Sequence, residues 1–325
     1  MSTTAGVNRS ADLPDGLHVY MCGSGSPLAD PNRAGPCIGV LAGQKAFVFD
    51  VGAGSVRNLG LMGFPIAQLD RVYITHLHSD HIAGLGELML NAWIGGSRDT
   101  PLPVIGPAGI NRVVQGFTTA YQIDRNFRIA HHGTGVANPD GYGAAATAIP
   151  DSNEGVEAFV ELYNDGDLII SAITVEHEPV SPAYGYRIDY KDRSISISGD
   201  TTYSQNFVTH SQNVDLMFHE ALNIEMVSTI QKTLAERGLE NPATIFADIP
   251  DYHSTPKDAA RVASEAGATG LVLYHIVPAL PLELLDAVFL KGVSDEYDGE
   301  VTLGKDGMIF SLPAGSTRIL SLIHI

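Results

Sequence analysis

Apolar positions fall first into three short runs: LHVYMC (17–22), CIGVLAG (37–43) and KAFVFD (45–50). Each is too short for a helix and is bounded by turn residues, with AGQK between the second and third, so the pattern predicts strands. A Gly-rich turn, VGAGS, follows Asp50, and SVRNLGLMG predicts a short helix. RVYITH reads as a strand, IAGLGELMLNAWIGG as a helix by its apolar spacing, PLPVIG as a strand, and INRVVQGFTTAYQIDRNF as one longer helix. Residues 131–156 look irregular. DLIISAITVEH, YGYRIDY, RSISISGD and VDLMFHE are four further strand-like runs. Residues 224–237 and 256–267 read as helices, the second opened by Thr255 as N-cap and Pro256 at N1. LVLYH, VTL, GMIFSL and TRILSLI supply the last strands.

Strands come first as a meander, then alternate with helices, and the pattern recurs without a long linker. The expectation is one domain over 1–325, of α/β (α+β) class, its sheets covered by helices. Residues 1–16 read as an N-terminal tail, and 82–176 as holding an inserted helix and a lid-like region.

The ends of the apolar runs carry chemistry. RVYIT ends in His76, AITVE in His177, SISISG in Asp200, DLMF in His219 and Glu220, and LVLY in His275. Folds place reactive side chains on loops at the ends of rigid elements. The stretch THLHSDHIAG (75–84) packs His76, His78, Asp80 and His81 into six positions. In extended chain, i and i+2 point the same way, so His76 and His78 can grip one ion. A turn into helix then sends Asp80 and His81 toward a second. Imidazole nitrogen and carboxylate oxygen are zinc ligands at about 2.0–2.2 Å; iron and manganese suit the same donors. His177, Asp200 and His275 can complete two shells, with Asp200, the lone carboxylate among them, as the bridge. Isolated histidines such as His18, His210 and His324 read as structural. His131 and His132 either face the pocket or lie in solvent.

The chain is 325 residues long and 44% hydrophobic, enough for a large core. Nineteen Lys and Arg against 37 Asp and Glu give −18. That charge repels polyanions, so a long RNA or DNA partner is disfavoured, a local basic patch apart. No apolar run is long enough to span a membrane, and MSTTAGVNRSADLPDG lacks the pattern of a signal peptide. A cytoplasmic location is the default; a periplasmic or secreted mature form stays open. Cys22 and Cys37 flank neighbouring early strands, so one bridge is feasible, but two buried free thiols are expected.

Taken in order, these residues resemble the metallo-β-lactamase superfamily, whose metal motif is HxHxDH followed by a distant His, an Asp and a final His. The closer resemblance is to its ribonuclease Z and arylsulfatase-like branch, on GSGSP (23–27), HEPVSPAYGYRI (177–188), SISGDT (196–201), HEA (219–221) and HST (253–255). The resemblance implies a four-layer αββα sandwich, two mixed sheets with helices on the outer faces. It implies two zinc ions, His76, His78 and His177 on one, Asp80, His81 and His275 on the other, Asp200 bridging. It also implies that Glu220 and His253 pair beside the leaving group, so Asp80, Glu220 and His253 form the expected catalytic set. The basic arm by which ribonuclease Z captures tRNA has no counterpart between YGYRIDY and SISISGD, where KDR intervenes. The expectation is therefore a dinuclear hydrolase of a small ester, a phosphodiester or aryl sulfate first and a lactone or carboxylic ester next; the resemblance is compatible with a homodimer, while the residues themselves leave the oligomeric state open. The alternatives are tRNA 3′ processing by a ribonuclease Z-type endonuclease and an iron-dependent redox enzyme of the same fold.

Overall fold

The computed structural model describes residues 13–150 and 158–323. The expected tail therefore lies largely outside the described residues; Leu13 packs on a core cluster and the first strand starts at Gly16. The chain divides into two compact units, residues 1–23, 34–156 and 306–325 forming the first and residues 24–33 and 157–305 the second. Each is built on one mixed sheet with helices, and this architecture is the expected α/β class.

In the first unit β1 (Gly16–Gly23), β2 (Cys37–Ala42) and β3 (Lys45–Phe49) form the antiparallel meander that the short apolar runs predict. β4 (Leu69–Tyr73), β5 (Leu102–Gly106) and β6 (Ala144–Ala148) then add in parallel. The last strands of the chain, β14 (Met308–Pro313) and β15 (Leu320–Ile323), close the other edge, giving the order β15-β14-β1-β2-β3-β4-β5-β6. Parallel neighbours need crossovers, which α1 (Ser55–Leu61), α2 (Ser79–Ile82), α3 (Leu85–Gly96), α4 (Ile110–Ala120) and α5 (Gln122–His132) provide. α3 buries Leu85, Leu88, Met89 and Ala92 at i, i+3, i+4 and i+7, a single stripe against Val72 and Val104 of the sheet. Each large side chain so buried stabilises by roughly 1.5–3 kcal/mol.

Two sequence expectations change here. The single helix over INRVVQGFTTAYQIDRNF is two, broken at Tyr121 (φ −91°, ψ 4°), and the second runs on to His132. Cys22 and Cys37 are not free thiols but a disulfide, with their Cα atoms 5.1 Å apart. The β1–β2 register shifts between Met21 and Gly23, and that irregularity sets Cys22 beside Cys37.

In the second unit β7 (Phe159–Asn164), β8 (Leu168–Val175), β9 (Ala183–Tyr190) and β10 (Arg193–Ile197) run antiparallel. β11 (Leu216–Leu222), β12 (Gly270–Val277) and β13 (Glu300–Leu303) continue in parallel, in the order β13-β12-β11-β10-β9-β8-β7. α6 (Gln205–His210), α7 (Ile224–Glu236), α8 (Glu240–Asp248), α9 (Pro256–Ala266) and α10 (Leu284–Phe289) complete it. α9 starts where its sequence predicts: Thr255 accepts from Asp258 N–H, and Asp258 accepts in return from Thr255 N–H. Its Ala259, Val262, Ala263 and Ala266 join Leu271 and Leu273 of β12 in the core. No helix among the described residues is long and apolar enough to cross a membrane.

Candidate metal centre

In the first unit, β4 leads through Ile74 and Thr75 into the histidine cluster. The chain stays extended to His78, which is the N-cap of α2 (φ −61°, ψ 146°), and then turns helical. That switch separates the pairs as the spacing requires. His76 Nε2 and His78 Nδ1 lie 2.9 Å apart, and Asp80 Oδ2 lies 3.5 Å from His81 Nε2. Tetrahedral ligands at ~2.1 Å stand about 3.4 Å from one another, so both pairs are spaced for a shared ion. His76 and His81 are wholly buried.

α2 is held in place by the loop after β3. Val51 N–H donates to His81 O at 2.7 Å, and Gly84 N–H to Val51 O at 2.8 Å. A Cβ on Gly52 would stand 2.2 Å from the Gly35 carbonyl carbon and 2.6 Å from Asp80 O, so only glycine lets these backbones meet. Asp50, at the end of β3 with φ 55°, does the orienting. Its Oδ1 accepts Thr75 N–H at 2.8 Å, and its Oδ2 accepts the Thr75 hydroxyl at 2.9 Å and His81 Nδ1–H at 2.8 Å. That last bond fixes the tautomer and presents His81 Nε2 as the atom that could take a metal. Nothing in the sequence sets Asp50 apart for this part beyond its place at the end of an apolar run, which it shares with the other candidates.

The second unit gathers its set from separate strand ends. His177, just past β8, donates Nδ1–H to the Tyr252 carbonyl at 2.9 Å, which presents Nε2. Burial is the largest influence on it and pushes its imidazole below the ordinary range, against the raising effects of Asp200 and the Tyr252 carbonyl. His177 and Asp200 offer ligand atoms within 4.8 Å of one another. Asp200 follows β10 on a turn tied by Gly199 N–H to the Tyr274 hydroxyl at 3.1 Å. His275 owes its position to a β-bulge. Glu220 pairs with Tyr274 and Ala221 with Ile276, so His275 is the extra residue, at φ 47°. Its Nε2 stands 3.2 Å from Asp200 Oδ2.

Glu220, wholly buried on β11, collects three donors on Oε1: His253 Nδ1–H at 2.9 Å, Thr201 N–H at 3.1 Å and Ser254 N–H at 3.1 Å. It thereby joins the turn carrying Asp200 to the segment carrying His253. The His253 ring stacks on His275 at 5.4 Å, and Asp200, His253 and His275 offer ligand atoms within 4.8 Å of one another. His219 takes no part. It is fully buried, donates Nδ1–H to the Glu220 carbonyl at 2.9 Å and meets the Phe207 ring edge-on. His131 and His132 are exposed at the end of α5, His18 lies under Ser311, and His210 stacks on Phe159; His324 is outside the described residues. The histidine–aspartate clusters are able to hold metal ions, and their donor chemistry fits divalent metals.

The family model described as a β-lactamase superfamily domain matches residues 48–276. Ribonuclease Z of Mycobacterium avium (strain 104) is 32% identical over 292 residues, which is 89% of this chain and 96% of that protein. Ribonuclease Z of Mycobacterium bovis (strain BCG / Pasteur 1173P2) is 32% identical over 293 residues, with the same coverage of 89% and 96%. Among solved structures, the metallo-β-lactamase fold protein YhfI from Bacillus subtilis aligns with TM-score 0.64 at 22% identity, over 91% of this chain and 99% of that one. The short form of human tRNase Z aligns with TM-score 0.63 at 22% identity, over 91% and 99%. These two likenesses concern the fold. The curated relatives correct the partner expectation: a small-molecule ester in place of nucleic acid does not stand against full-length relatives named as ribonucleases. The physical reason is that −18 is a sum over the chain. Between Glu87 and Asp140 four arginines face two acids, a local +2.

Proposed function

The chain belongs to the ribonuclease Z family of the β-lactamase superfamily and is a metal-dependent hydrolase of ester bonds; on that premise we propose that its substrate is a precursor tRNA, cut at the 3′ side. What supports the reading most is the 32% identity running through 96% of a ribonuclease Z, with every ligand position of the motif filled. In this reading His76, His78 and His177 would hold one ion and Asp80, His81 and His275 the other, with Asp200 available to both. Two zinc ions, when bound, supply Lewis acidity toward the phosphate and activate water.

The remaining steps belong to the chain's own side chains. Asp50 and the Tyr252 carbonyl hold His81 and His177 in the tautomer that presents Nε2. Glu220 holds Nδ1–H of His253, so His253 Nε2 is the atom that carries a proton to the departing ribose oxygen. The working compartment is the cytoplasm, where a tRNA substrate is made. The Cys22–Cys37 bridge is uncommon in a reducing compartment, and a free-thiol assay on protein from reducing cells tests that placement.

The experiment is end mapping. Metal-replete protein is incubated with a precursor tRNA carrying a 3′ trailer. A single cut at the base of the acceptor stem, lost with EDTA and regained with Zn2+, is expected. Random degradation, or no cleavage at any metal loading, overturns the reading. Elemental analysis is expected to give two ions per chain, and full activity at one ion per chain would refute the dinuclear arrangement.

A further inference from the structure

α5 stands out within its unit: no residue of it is buried, and Ile123 and Phe127 are 68% and 62% exposed. Helices in a packed domain bury a stripe; one that buries nothing has a face without an occupant. At 100° per residue, Arg125, Arg128, His131 and His132 share an arc of about 120°, with Ile123 and Phe127 beside it. Arg125 sits 5.3 Å over the Tyr142 ring, and Arg128 Nε lies 2.6 Å from Asp124, the single acid on the helix. Both arginines are partly buried, and the two histidines are exposed. The stretch between Glu87 and Asp140 is net +2 in a chain of −18, and α5 carries two of its four arginines, Arg125 and Arg128, both partly exposed.

We propose that this face of α5 is a docking surface for the RNA substrate; the proposal rests on the ribonuclease reading above. Arginines at fixed positions contact phosphates as point and forked donors. An exposed phenylalanine beside them is a platform for an unpaired base. The hairpin joining β9 to β10 is only Lys191 and Asp192, so it offers no basic extension of its own. An anionic membrane would also attract the arginines. Two large apolar side chains are too few to bury a helix in lipid, and the family of the chain favours RNA.

The test compares full-length wild type, R125Q/R128Q, F127A and, as a control on α7's far end, R237Q, each checked for metal content and thermal melting. Precursor tRNA is titrated at several salt concentrations. For R125Q/R128Q, KM is expected to rise about tenfold with kcat retained, and the slope of log KM against log salt to become shallower by about 2. F127A is expected to raise KM about threefold without changing the slope. R237Q is expected to match wild type. Wild-type KM and slope in R125Q/R128Q, with wild type cleaving normally, overturns the docking surface alone. Absence of both binding and cleavage by wild type overturns the ribonuclease reading and this proposal with it. Binding to phosphatidylserine vesicles that is lost in R125Q/R128Q while tRNA binding persists assigns the face to a membrane and also overturns it.

Discussion

The first unit writes its candidate ligand cluster in six consecutive residues, 76 to 81, whereas the second assembles its own from strand ends spread over residues 177 to 275. The local cluster depends on one loop, 50–54, clamped against α2. Its orienting group is a side chain, the Asp50 carboxylate. The dispersed cluster rests on a mixed sheet, a bulge and a buried glutamate. The orienting group for His177 is main chain, the Tyr252 carbonyl. The two clusters therefore differ in what a substitution can reach. In the first, a single side chain orients a ligand and fills a buried hydrogen-bond site. In the second, ligand, orienter and scaffold are separate, so chemistry can be removed while the fold stays.

The largest effect is expected at Asp200. Asp200→Ala leaves the apolar packing of β10 and β12 untouched. It should reduce cleavage by about a thousandfold or more, a barrier increase of ~4 kcal/mol, with fewer ions per chain by elemental analysis and a melting curve close to wild type. Global unfolding of this variant would show that the second unit does not separate ligand from scaffold, and the comparison would break.

His253 sharpens the same point. Glu220 binds it and two backbone N–H groups at once, so His253→Ala removes only the outermost partner. Cleavage should fall by about 10²–10³ with metal content retained. A substrate with sulfur in place of the departing bridging oxygen leaves without needing a proton, and on it the variant should recover most of the loss. Equal losses on both substrates, or loss of metal, would move His253 into the ligand set that its closeness to Asp200 and His275 also permits.

At Asp50 the effects combine. Asp50→Ala frees His81 from its tautomer and strands the Thr75 N–H and hydroxyl in a buried position. Metal affinity should fall about 10–100-fold, and stability should fall by roughly 2–4 kcal/mol, since each stranded buried group costs about 1–3 kcal/mol. Tyr252→Phe keeps the carbonyl that holds His177 and should change metal affinity by less than about threefold. Competitive chelator titration beside chemical denaturation measures both. A Tyr252→Phe variant as impaired as Asp50→Ala would erase the distinction between side-chain and main-chain orienters.

The same contrast sets what could be seen in the sequence. His76, His78, Asp80 and His81 were legible because extended-then-helical geometry is local and its periods are short. The strand-end residues His177, Asp200, Glu220 and His275 were legible as types at the ends of apolar runs. What brings them together, such as the bulge that isolates His275, depends on register between strands. His219 was picked out by the same rule and proves to be core, because strand alternation sends it to the opposite face from Glu220. β6 escaped notice because AAATA has no bulky apolar residue, and α4 and α5 merged because nothing in the apolar spacing marks the break at Tyr121. Charge misled for a different reason: a net figure sums over the whole chain and does not say how charge is distributed along it.

The smallest effect expected is in acid, and it again differs between the units. His18 in the first and His219 in the second are buried, and burial is the largest influence pushing each imidazole below its ordinary 6.5. Between the lowered folded value and 6.5 the unfolded chain holds a proton that the folded chain does not. Stability from these groups is therefore complete above about pH 6.5 and is lost as pH falls below it. His18 has a way to relax: its Nε2 faces the Pro14 carbonyl at 2.8 Å, and Ser311, at 2.9 Å from Nδ1, can turn its hydroxyl to accept. His219 has one backbone carbonyl and an aromatic edge, so a second proton has nowhere to go. Urea denaturation at pH 8, 6.5 and 5.5 should show wild type losing stability across the lower interval. His219→Leu should flatten that loss more than His18→Gln does. Each variant should lie about 1 kcal/mol below wild type at pH 8 for its missing hydrogen bond. An acid slope that His219→Leu leaves unchanged would place the protons elsewhere, in the carboxylates, and would leave the two buried histidines without a part in the pH response.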